Sequence, residues 1–194
     1  MKARTAKIER KTHETDIVLE MNMDGTGQFM IESGIGFLDH LLTHIARHGR
    51  IDLKVKAKGD LHVDPHHTVE DIAICLGMAL CEALGDKKGI ARYGDASVPM
   101  EDALANVALD LSGRPYCVYN VRYPSEKIGD FDVECVEEFL RSLANHAKLN
   151  LHINVPYGVN SHHIAEAIFK GLGRCMAVAV SIVGGEIPST KGVL

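Results

Sequence analysis

Apolar and polar residues recur along the first half of the chain with two periods, one of two residues and one close to 3.6 residues. The first period is typical of a half-buried strand and the second of an amphipathic helix. The segments are, in chain order, strands 15–23 and 28–32, helix 37–47, strand 51–57 and helix 67–84. Asp24-Gly25-Thr26-Gly27 predicts a hairpin between the first two strands, and Gly85 predicts the end of the second helix. The first half is therefore predicted to have the order β-β-α-β-α.

The second half of the chain repeats this pattern. Its predicted elements are strands 106–111 and 116–123, helix 133–147, strand 149–155 and helix 163–183. The two halves align residue by residue, apolar with apolar and acid with acid, in the segment pairs 37–53 with 135–151, 14–25 with 102–113, and Leu76-Gly77 with Leu172-Gly173. We predict an internal duplication, with half-repeats at residues 1–92 and 93–194 inside one compact domain.

Each predicted sheet has one face that helices must cover, because a strand of alternating pattern is apolar on one side only. Four helices placed between two sheets cover the apolar faces of both sheets at once. The fold class predicted is α+β, with duplicated β-β-α-β-α half-domains and two four-stranded sheets flanking a four-helix bundle. A chain of 194 residues with 46% hydrophobic content is large enough for such a core.

Composition excludes several classes of protein. The formal net charge is −5 with no run of basic residues, which argues against nucleic acid as a partner because phosphate backbones select clustered Lys and Arg. The N-terminus has no apolar secretory core, and the apolar stretch 176–183 is too short to span a bilayer. Five cysteines without a CxxC pair are typical of buried thiols. The sequence predicts a cytoplasmic protein with neither nucleic-acid nor membrane partners.

One short signature occurs twice, as His66-His67-x-x-Glu70 and, 96 residues later, as His162-His163-x-x-Glu166. The carboxylate lies one helical turn beyond the first imidazole and returns to its face, a donor set that suits Zn, Mn, Fe or Ni. A single His-His pair at a helix start is more often a cap or a solvated pair. Repetition with the glutamate in register favours metal binding instead.

Further candidate ligands come from the preceding helix of each half. His40 begins that helix in the first half, and the repeat alignment places Glu138 at the equivalent position. Each half then offers four candidates, which are His40, His66, His67 and Glu70 in the first half and Glu138, His162, His163 and Glu166 in the second. Adjacent side chains on a helix point about 100° apart. Each His-His pair is therefore predicted to bridge two sites, with ligands sufficient for two ions.

Three other histidines, His44, His48 and His146, lie at helical spacing from these groups. From spacing alone, each is equally consistent with a supporting role behind the ligands and with a place on the surface. Two other functions also fit a metal site of this composition. A dinuclear metallohydrolase would use similar ligands to activate water, although it would normally include bridging aspartates. A metal-storage protein would account for the many histidines but not for a phosphate-binding set.

The two signatures are joined by three more motifs, Gly36-Phe37-Leu38-Asp39-His40, Asn160-Ser161-His162-His163 and Pro188-Ser189-Thr190-Lys191-Gly192. Together they resemble the imidazoleglycerol-phosphate dehydratase family of histidine biosynthesis over nearly the whole chain. The resemblance implies a lyase that dehydrates a small phosphate substrate, imidazole glycerol phosphate, to imidazole acetol phosphate. It also implies two Mn²⁺ ions at each active site, with other divalent ions compatible, and a homo-oligomer of 24 chains with active sites between subunits.

The resemblance also assigns roles to individual residues. The metal ligands implied are His40, His66, His67, Glu70, Glu138, His162, His163 and Glu166. Glu138 departs from the family pattern, because better-known members usually carry His at this position, and a carboxylate in its place leaves metal preference open. The substrate-binding residues implied are Glu14, His40, His66, Glu70, Arg92, Arg114, His162, Lys170, Ser189, Thr190 and Lys191.

The chemistry of the family explains these requirements. The proton to be removed lies on a carbon with no adjacent carbonyl, so the imidazole ring of the substrate must be activated, which metal ions on its nitrogens would do as Lewis acids. A carboxylate must then move the proton, and the resemblance places this acid–base role on Glu14. His44 and His48 are included as further catalytic candidates.

Overall fold

The computed structural model describes residues 3–194. These residues form four α-helices, two four-stranded sheets and one small two-stranded ribbon. The elements are β1 (Thr5–Lys11), β2 (Thr15–Asn22), β3 (Phe29–Glu32), α1 (Gly36–Gly49), β4 (Asp52–Gly59), α2 (His66–Leu84), β5 (Tyr93–Met100), β6 (Ala103–Asp110), β7 (Tyr116–Asn120), β8 (Lys127–Ile128), β9 (Phe131–Asp132), α3 (Glu134–Ala147), β10 (Asn150–Tyr157) and α4 (Ser161–Ala179).

The two large sheets have the same topology, with strand orders β1-β2-β4-β3 and β5-β6-β10-β7. Each half begins with a strand, β1 or β5, that the hydrophobic pattern did not predict. β1 carries Lys7, Glu9 and Lys11 on its outer positions and buries only Ala6 and Ile8, which is too weak an alternation to stand out. The order is thus β-β-β-α-β-α in the first half, and the second half has the same order with the ribbon β8–β9 inserted before α3. In each half the extra strand completes the predicted four-stranded sheet. The α+β class is confirmed.

The predicted hairpin between the second and third strands is wrong. β4 lies between β2 and β3, antiparallel to the first and parallel to the second. Asp52 at the start of β4 accepts hydrogen bonds from the backbone N–H groups of Thr26 and Gln28, at 2.8 and 2.9 Å. The glycine-containing segment is therefore fastened to a third strand rather than closing on itself. β6 and β7 are separated by β10 in the same way, and both sheets are mixed.

The start of α4 is defined by Asn160. Its side-chain Oδ1 accepts from the backbone N–H groups of His162 and His163, at 2.9 and 3.3 Å, which satisfies two of the unpaired amides at the first turn. This helix ends at Ala179, four residues before the prediction, and β7 ends at Asn120 rather than residue 123. The cap fixes the helical turn that carries the second His-His signature.

The helices form two inner layers between the sheets. α1 and α2 cover the first sheet and α3 and α4 cover the second, while α1 packs against α4 and α2 against α3. Phe139 of α3 and Phe169 of α4, both fully buried, pack together within the second layer with ring centroids 5.2 Å apart. One hydrophobic core includes residues of both halves. The second half-repeat, predicted to begin at residue 93, starts with β5, and the division into 1–92 and 93–194 stays a prediction.

All five cysteines are free, and Cys75, Cys135 and Cys175 are buried in the core. Burial raises the pKa of Cys75 to about 11 and the pKa values of Cys135 and Cys175 to about 12. These thiols are therefore poor nucleophiles, as expected of structural residues. Within residues 3–194, none of the helices is both long enough and apolar enough to cross a membrane.

The repeated Leu-Gly pairs mark the places where helices of different halves approach most closely. A Cβ atom at Gly77 would lie 2.7 Å from the backbone nitrogen of Ala147 in α3, and one at Gly173 would lie 3.0 Å from the carbonyl oxygen of His44 in α1. Only glycine lets the backbones come this near without a shift of one helix. The duplication has thus kept a packing requirement as well as a ligand pattern.

We expect Gly77→Ala to lower the free energy of unfolding by about 1–3 kcal/mol, the usual cost of inserting a methyl group into a tight core. Gly173→Ala should cost less, because its nearest contacts lie at the edge of the normal range. Urea denaturation of both variants measures the difference. A substitution of Gly36 serves as the control, since a Cβ there meets nothing within 4 Å.

Candidate active site

The first cluster consists of His40 in α1 and His162 and Glu166 in α4. The Oε1 atom of Glu166 lies 2.6 Å from Nε2 of His40 and 2.8 Å from Nε2 of His162. The three donor atoms lie within 4.8 Å of one another, at the distance range in which one ion can bind all three. Glu166 itself is buried, at 6% exposure, while both rings remain partly accessible.

The second cluster consists of His66 and Glu70 in α2 and Glu138 in α3. Its donor atoms also lie within 4.8 Å of one another. Ser142, one turn further along α3, donates a hydrogen bond to Oε1 of Glu138 at 3.1 Å and so orients this carboxylate. The second cluster has two carboxylates and one imidazole, whereas the first cluster has two imidazoles and one carboxylate.

The structure groups the candidate ligands across the half-repeats, a pairing that the sequence left open. His40 of the first half lies with His162 and Glu166, and Glu138 of the second half lies with His66 and Glu70. The reason is the helix packing, because α1 contacts α4 and α2 contacts α3. Each cluster therefore takes its third ligand from the opposite half of the chain.

The second histidine of each signature points away from its neighbour. The rings of His66 and His67 lie at 89° with centroids 6.1 Å apart, and those of His162 and His163 at 83° and 6.2 Å. His67 and His163 thus lie outside the cluster to which the first histidine of their pair belongs. This arrangement is the one expected from the angle between adjacent helical residues.

A carboxylate holds each of these outer histidines. Nδ1 of His67 lies 3.0 Å from Oδ2 of Asp60, and Nδ1 of His163 lies 2.5 Å from Oδ1 of Asp102. The hydrogen bond to Asp60 raises the pKa of His67, and the bond from His163 lowers the pKa of Asp102 to about 2. A carboxylate on one ring nitrogen sets the tautomer and directs the other nitrogen outward, as is common behind metal-binding histidines.

Asp60 and Asp102 were not among the predicted site residues. For Asp102 a signal existed, since the repeat alignment places it opposite Glu14. Asp60 has no acidic counterpart, because the equivalent position after β10 is Gly158. The two halves thus orient their outer histidines with carboxylates from different strand ends.

Glu14 lies in the turn between β1 and β2, beside the start of α2. Its Oε1 atom is 3.8 Å from Nε2 of His67, and half of its side chain is exposed. Glu14, Asp60 and His67 also form a group with donor atoms within 4.8 Å. The structure therefore brings the predicted acid–base residue to the same helix start as the first signature.

Burial and hydrogen bonds act in opposite directions on the first cluster. Burial alone would raise the pKa of Glu166, but hydrogen bonds from Lys170, His40 and His162 hold it well below its ordinary value. Burial lowers the pKa of His44, whose Nε2 lies 3.3 Å from that of His40, to about 4. At neutral pH the carboxylate of the cluster is thus ionised, the form that coordinates metals, and the neighbouring imidazole of His44 is neutral.

Six of the predicted substrate-binding residues carry donors suited to the substrate phosphate, and they fall into two places. Five of them line one cavity of about 590 Å³ at the C-terminal segment, namely Arg92, Arg114, Ser189, Thr190 and Lys191. Lys170 instead donates a hydrogen bond to Oε2 of Glu166 at 2.6 Å. It lines a second cavity together with His44, His48, Arg47 and Arg174. His146, by contrast, contacts the carbonyl of Ser142 in its own helix and lies at neither cluster.

The first of these cavities, which we call the basic pocket, lies at the far end of α4 from the first cluster. The backbone N–H of Arg92 donates to the carbonyl of Ala179, the last residue of α4, while His162 lies in its first turn. At 1.5 Å per residue this separation is about 25 Å along the helix. A single small molecule does not reach from the first cluster to the basic pocket of the same chain.

The donor sets of both clusters are chemically suitable for a divalent ion. Imidazole nitrogens mixed with carboxylate oxygens are the ligands of Mn²⁺, Fe²⁺ and Zn²⁺ in proteins. Two four-stranded sheets enclosing four helices, with such a cluster at each crossing of the two halves, define a duplicated α+β protein with paired candidate metal sites.

Comparison with known proteins agrees with this class. A sequence model of the imidazoleglycerol-phosphate dehydratase family matches residues 33–176. The enzyme of that name from Paracoccus denitrificans is 54% identical, with 98% of this chain and 100% of the relative covered. The chain therefore belongs to the imidazoleglycerol-phosphate dehydratase family, whose members are hydro-lyases of histidine biosynthesis.

Solved structures lead to the same family. The Staphylococcus aureus dehydratase has a TM-score of 0.85 and 38% identity, with 92% of this chain and 99% of that chain covered. The Pyrococcus furiosus dehydratase, solved in complex with (S)-C348, has a TM-score of 0.85 and 39% identity, with 96% and 100% covered. The predicted family and the two-sheet, four-helix fold are confirmed.

Proposed function

We propose that this chain dehydrates D-erythro-imidazole glycerol phosphate in a metal-dependent reaction, at active sites that are shared between chains of a homo-oligomer. The observation that carries the proposal is the separation of about 25 Å between the first cluster and the basic pocket. A substrate with an imidazole ring at one end and a phosphate at the other needs both. Two chains supply both if the pocket of one faces the cluster of the next.

The clusters would hold two Mn²⁺ ions per active site, and other divalent ions fit the same donors. His40, His162 and Glu166 would hold one ion, and His66, Glu70 and Glu138 the other. His67 and His163 project from the helix starts and would complete the coordination of ions on neighbouring chains. This sharing supports an assembly with cubic symmetry, for which we propose 24 subunits. A cytoplasmic location stays a prediction.

When bound, the ions would act as Lewis acids on the substrate ring. The basic pocket would hold the phosphate. Arg92 is oriented by two bonds to Asp110, at 2.6 and 3.0 Å, and by one to the carbonyl of Pro188, at 2.8 Å, which leaves two of its five N–H donors for phosphate oxygens. Arg114, Ser189, Thr190 and Lys191 add donors. Lys170, with His44 and His48 beside it, would face the same substrate from the cluster side.

Glu14 would then transfer the proton of the substrate carbon. Its carboxylate is half exposed and faces the ring of His67, so it is accessible to a molecule bound at the helix start. His67 is held in place by Asp60 and fixes one side of this space. Removal of the proton by a positioned carboxylate is general base catalysis.

A complementation experiment tests the shared site. Arg114→Ala removes a donor of the basic pocket and Lys170→Ala removes the cation at the first cluster, so each assembly alone should be nearly inactive with Mn²⁺ and imidazole glycerol phosphate. Random co-assembly in equal amounts should restore about a quarter of the sites, since these combine an intact pocket with an intact cluster. Mixed particles without any recovery would place the whole site within one chain.

The same assay separates the other functions. A metallohydrolase would release inorganic phosphate from a generic phosphate ester, whereas a dehydratase releases none. A storage protein would bind many ions, whereas the two clusters account for about two ions per chain. Phosphate release, or a much higher ion content without turnover, would contradict the proposal.

Glu138→His should leave an active enzyme with altered metal preference. The change converts the second cluster to the donor set of the first and removes one negative charge, which weakens binding of hard Mn²⁺ relative to Zn²⁺ or Co²⁺. A metal-competition titration measures the ranking. Glu137→Gln is the matched control, because Glu137 is the neighbouring acid and pairs with Arg141 on the surface. An unchanged ranking in Glu138→His would mean that Glu138 is not a ligand.

A further inference from the structure

The turn that carries Glu14 is connected to α2 by buried polar groups. Asp71, 5% exposed, accepts a hydrogen bond from Nε of Arg10 at 2.8 Å and another from the hydroxyl of Thr15. Thr15 is also buried, at 4% exposure. Arg10 lies near the end of β1, and Thr15 is the first residue of β2. Asp71 lies in α2, one residue after Glu70 of the second cluster.

The direction of each hydrogen bond follows from the available protons. The hydroxyl proton of Thr15 is used by Asp71, so Thr12, whose Oγ1 lies 3.2 Å from that of Thr15, must be the donor between the two hydroxyls. Oγ1 of Thr12 in turn accepts from the backbone N–H groups of Glu14 and Thr15, at 3.1 and 2.9 Å. Both hydroxyl protons are thus used. The carboxylate of Asp71 therefore sets the orientation of the turn up to the amide of Glu14.

The second half of the chain has different residue types at the positions equivalent to Arg10, Thr15 and Asp71. By the repeat alignment, Arg10, Thr15 and Asp71 correspond to Val98, Ala103 and Ala167. The pairing of strands agrees with this correspondence, since Arg10 lies opposite Ile17 and Val98 opposite Ala105. All three counterparts are buried and apolar. The fold can thus be built at these positions without any polar group.

Burying a carboxylate and a hydroxyl is unfavourable unless each has its hydrogen-bond partners. For stability alone, three apolar residues at these positions would therefore be sufficient. The polar trio occurs in the half that carries Glu14. In the other half the counterpart of Glu14 is Asp102, which binds Nδ1 of His163 and is held by that contact and by the backbone N–H groups of Val159 and Asn160. Among residues 3–194, the carboxylate of Glu14 has no comparable set of hydrogen bonds, so its position depends on its backbone.

We propose that Arg10, Thr15 and Asp71 are positioning residues for Glu14, which they hold at the start of α2 through the hydroxyl of Thr12. The inference rests on the acid–base role proposed for Glu14. The three side chains act on the backbone of the turn and leave the carboxylate of Glu14 free to face the substrate. Misplacement of a reacting group by about 1 Å lowers turnover by roughly 10²-fold, so loss of this network should be visible in kcat.

Thr15→Val and Thr15→Ser form a matched pair for the test. Valine keeps the branched shape and removes the hydroxyl, whereas serine keeps the hydroxyl. With Mn²⁺-loaded enzyme and imidazole glycerol phosphate, Thr15→Val should lower kcat about 10- to 100-fold with KM within about threefold, and Thr15→Ser should stay close to the parent. Asp24→Asn is the control, because Asp24 pairs with Arg4 at the opposite ends of the same two strands.

A second variant copies the apolar half into the polar one. Arg10→Val, Thr15→Ala and Asp71→Ala together should give a folded protein that binds Mn²⁺ with parental affinity, measured by paramagnetic resonance titration, and that has the same loss of kcat. Loss of Mn²⁺ binding in proportion to turnover would overturn the inference, because the network would then serve the neighbouring ligand Glu70. Parental kcat in this variant would also overturn it.

A double-mutant cycle with Glu14→Gln separates positioning from general stability. If the network acts through Glu14, Thr15→Val should change kcat by less than about threefold once Glu14 is already glutamine. An equal loss in both backgrounds would overturn positioning and leave the role of Glu14 intact. Full activity of Glu14→Gln alone would instead refute the role proposed for Glu14, and with it the purpose of the network.

Discussion

Glu14→Gln is expected to lower kcat about 10²–10⁴-fold, the range for loss of a general acid or base. The amide has almost the shape of the carboxylate but does not accept the proton. Mn²⁺ affinity and KM should change little, because Glu14 lies in neither the first nor the second cluster and the amide keeps the shape of the carboxylate. Steady-state kinetics with imidazole glycerol phosphate, together with a metal titration, measure the three quantities.

The control for this variant is Glu9→Gln. Glu9 is an exposed acid of the neighbouring strand β1 and pairs with Lys7 at 2.6 Å, away from the helix starts. Its replacement should leave kcat unchanged. Activity of Glu14→Gln within about threefold of the parent would move the proton-transfer role to another residue, for which the partly exposed pair of Asp102 and His163 is the next candidate.

Metal removal is expected to abolish turnover and to dissociate the assembly. Without an ion, the two carboxylates of Glu70 and Glu138 remain close together and repel each other. Ligands contributed by other chains, for which His67 and His163 are proposed, would lose their common partner. Size-exclusion chromatography of the chelated protein should show a much smaller particle, and added Mn²⁺ should restore both size and activity.

Protein treated with chelator already saturated with Mn²⁺ is the control for the chelator itself. It should keep its size and its activity. A large particle that persists after metal analysis has verified complete removal would contradict the assembly part of this prediction. Loss of turnover without dissociation would then mean that protein contacts alone hold the subunits together.

The repeat alignment predicted more of the structure than the strand pattern did. It placed Glu14 opposite Asp102 and Leu76-Gly77 opposite Leu172-Gly173, and the structure explains both through equivalent strand ends and equivalent helix crossings. The strand pattern missed β1 because charged residues on its outer face obscure a short buried alternation. It missed β5 because Gly94, Ser97 and Pro99 are not typical strand residues. Similar sequence in two halves is a stronger signal than periodicity in seven or eight residues.

Hairpin prediction failed for a physical reason that no local pattern contains. The segment around Gly25 has the composition of a tight turn, yet β4 lies between the strands on either side of it. The backbone of that segment donates hydrogen bonds to Asp52, a residue that follows α1 in the chain. Whether β4 inserts between β2 and β3 depends on the assembly of the whole sheet, and therefore on residues that are far from the turn in the chain.

The sequence by itself determined the duplication, the residue types of the two candidate metal clusters and the helical turn on which each His-His signature lies. These properties depend on spacing within a few residues, and helical geometry translates such spacing directly into direction. It also determined that adjacent histidines point to different groups, as His66 and His67 do.

Only the tertiary structure decided which residues meet. His40 joins His162 and Glu138 joins His66 because helices of opposite halves pack together, and that choice depends on the fit of whole helix faces. The separation of the basic pocket from the first cluster has the same origin, since α4 holds them at its two ends. Contacts between residues far apart in the chain follow from packing of the complete core, which local spacing does not specify.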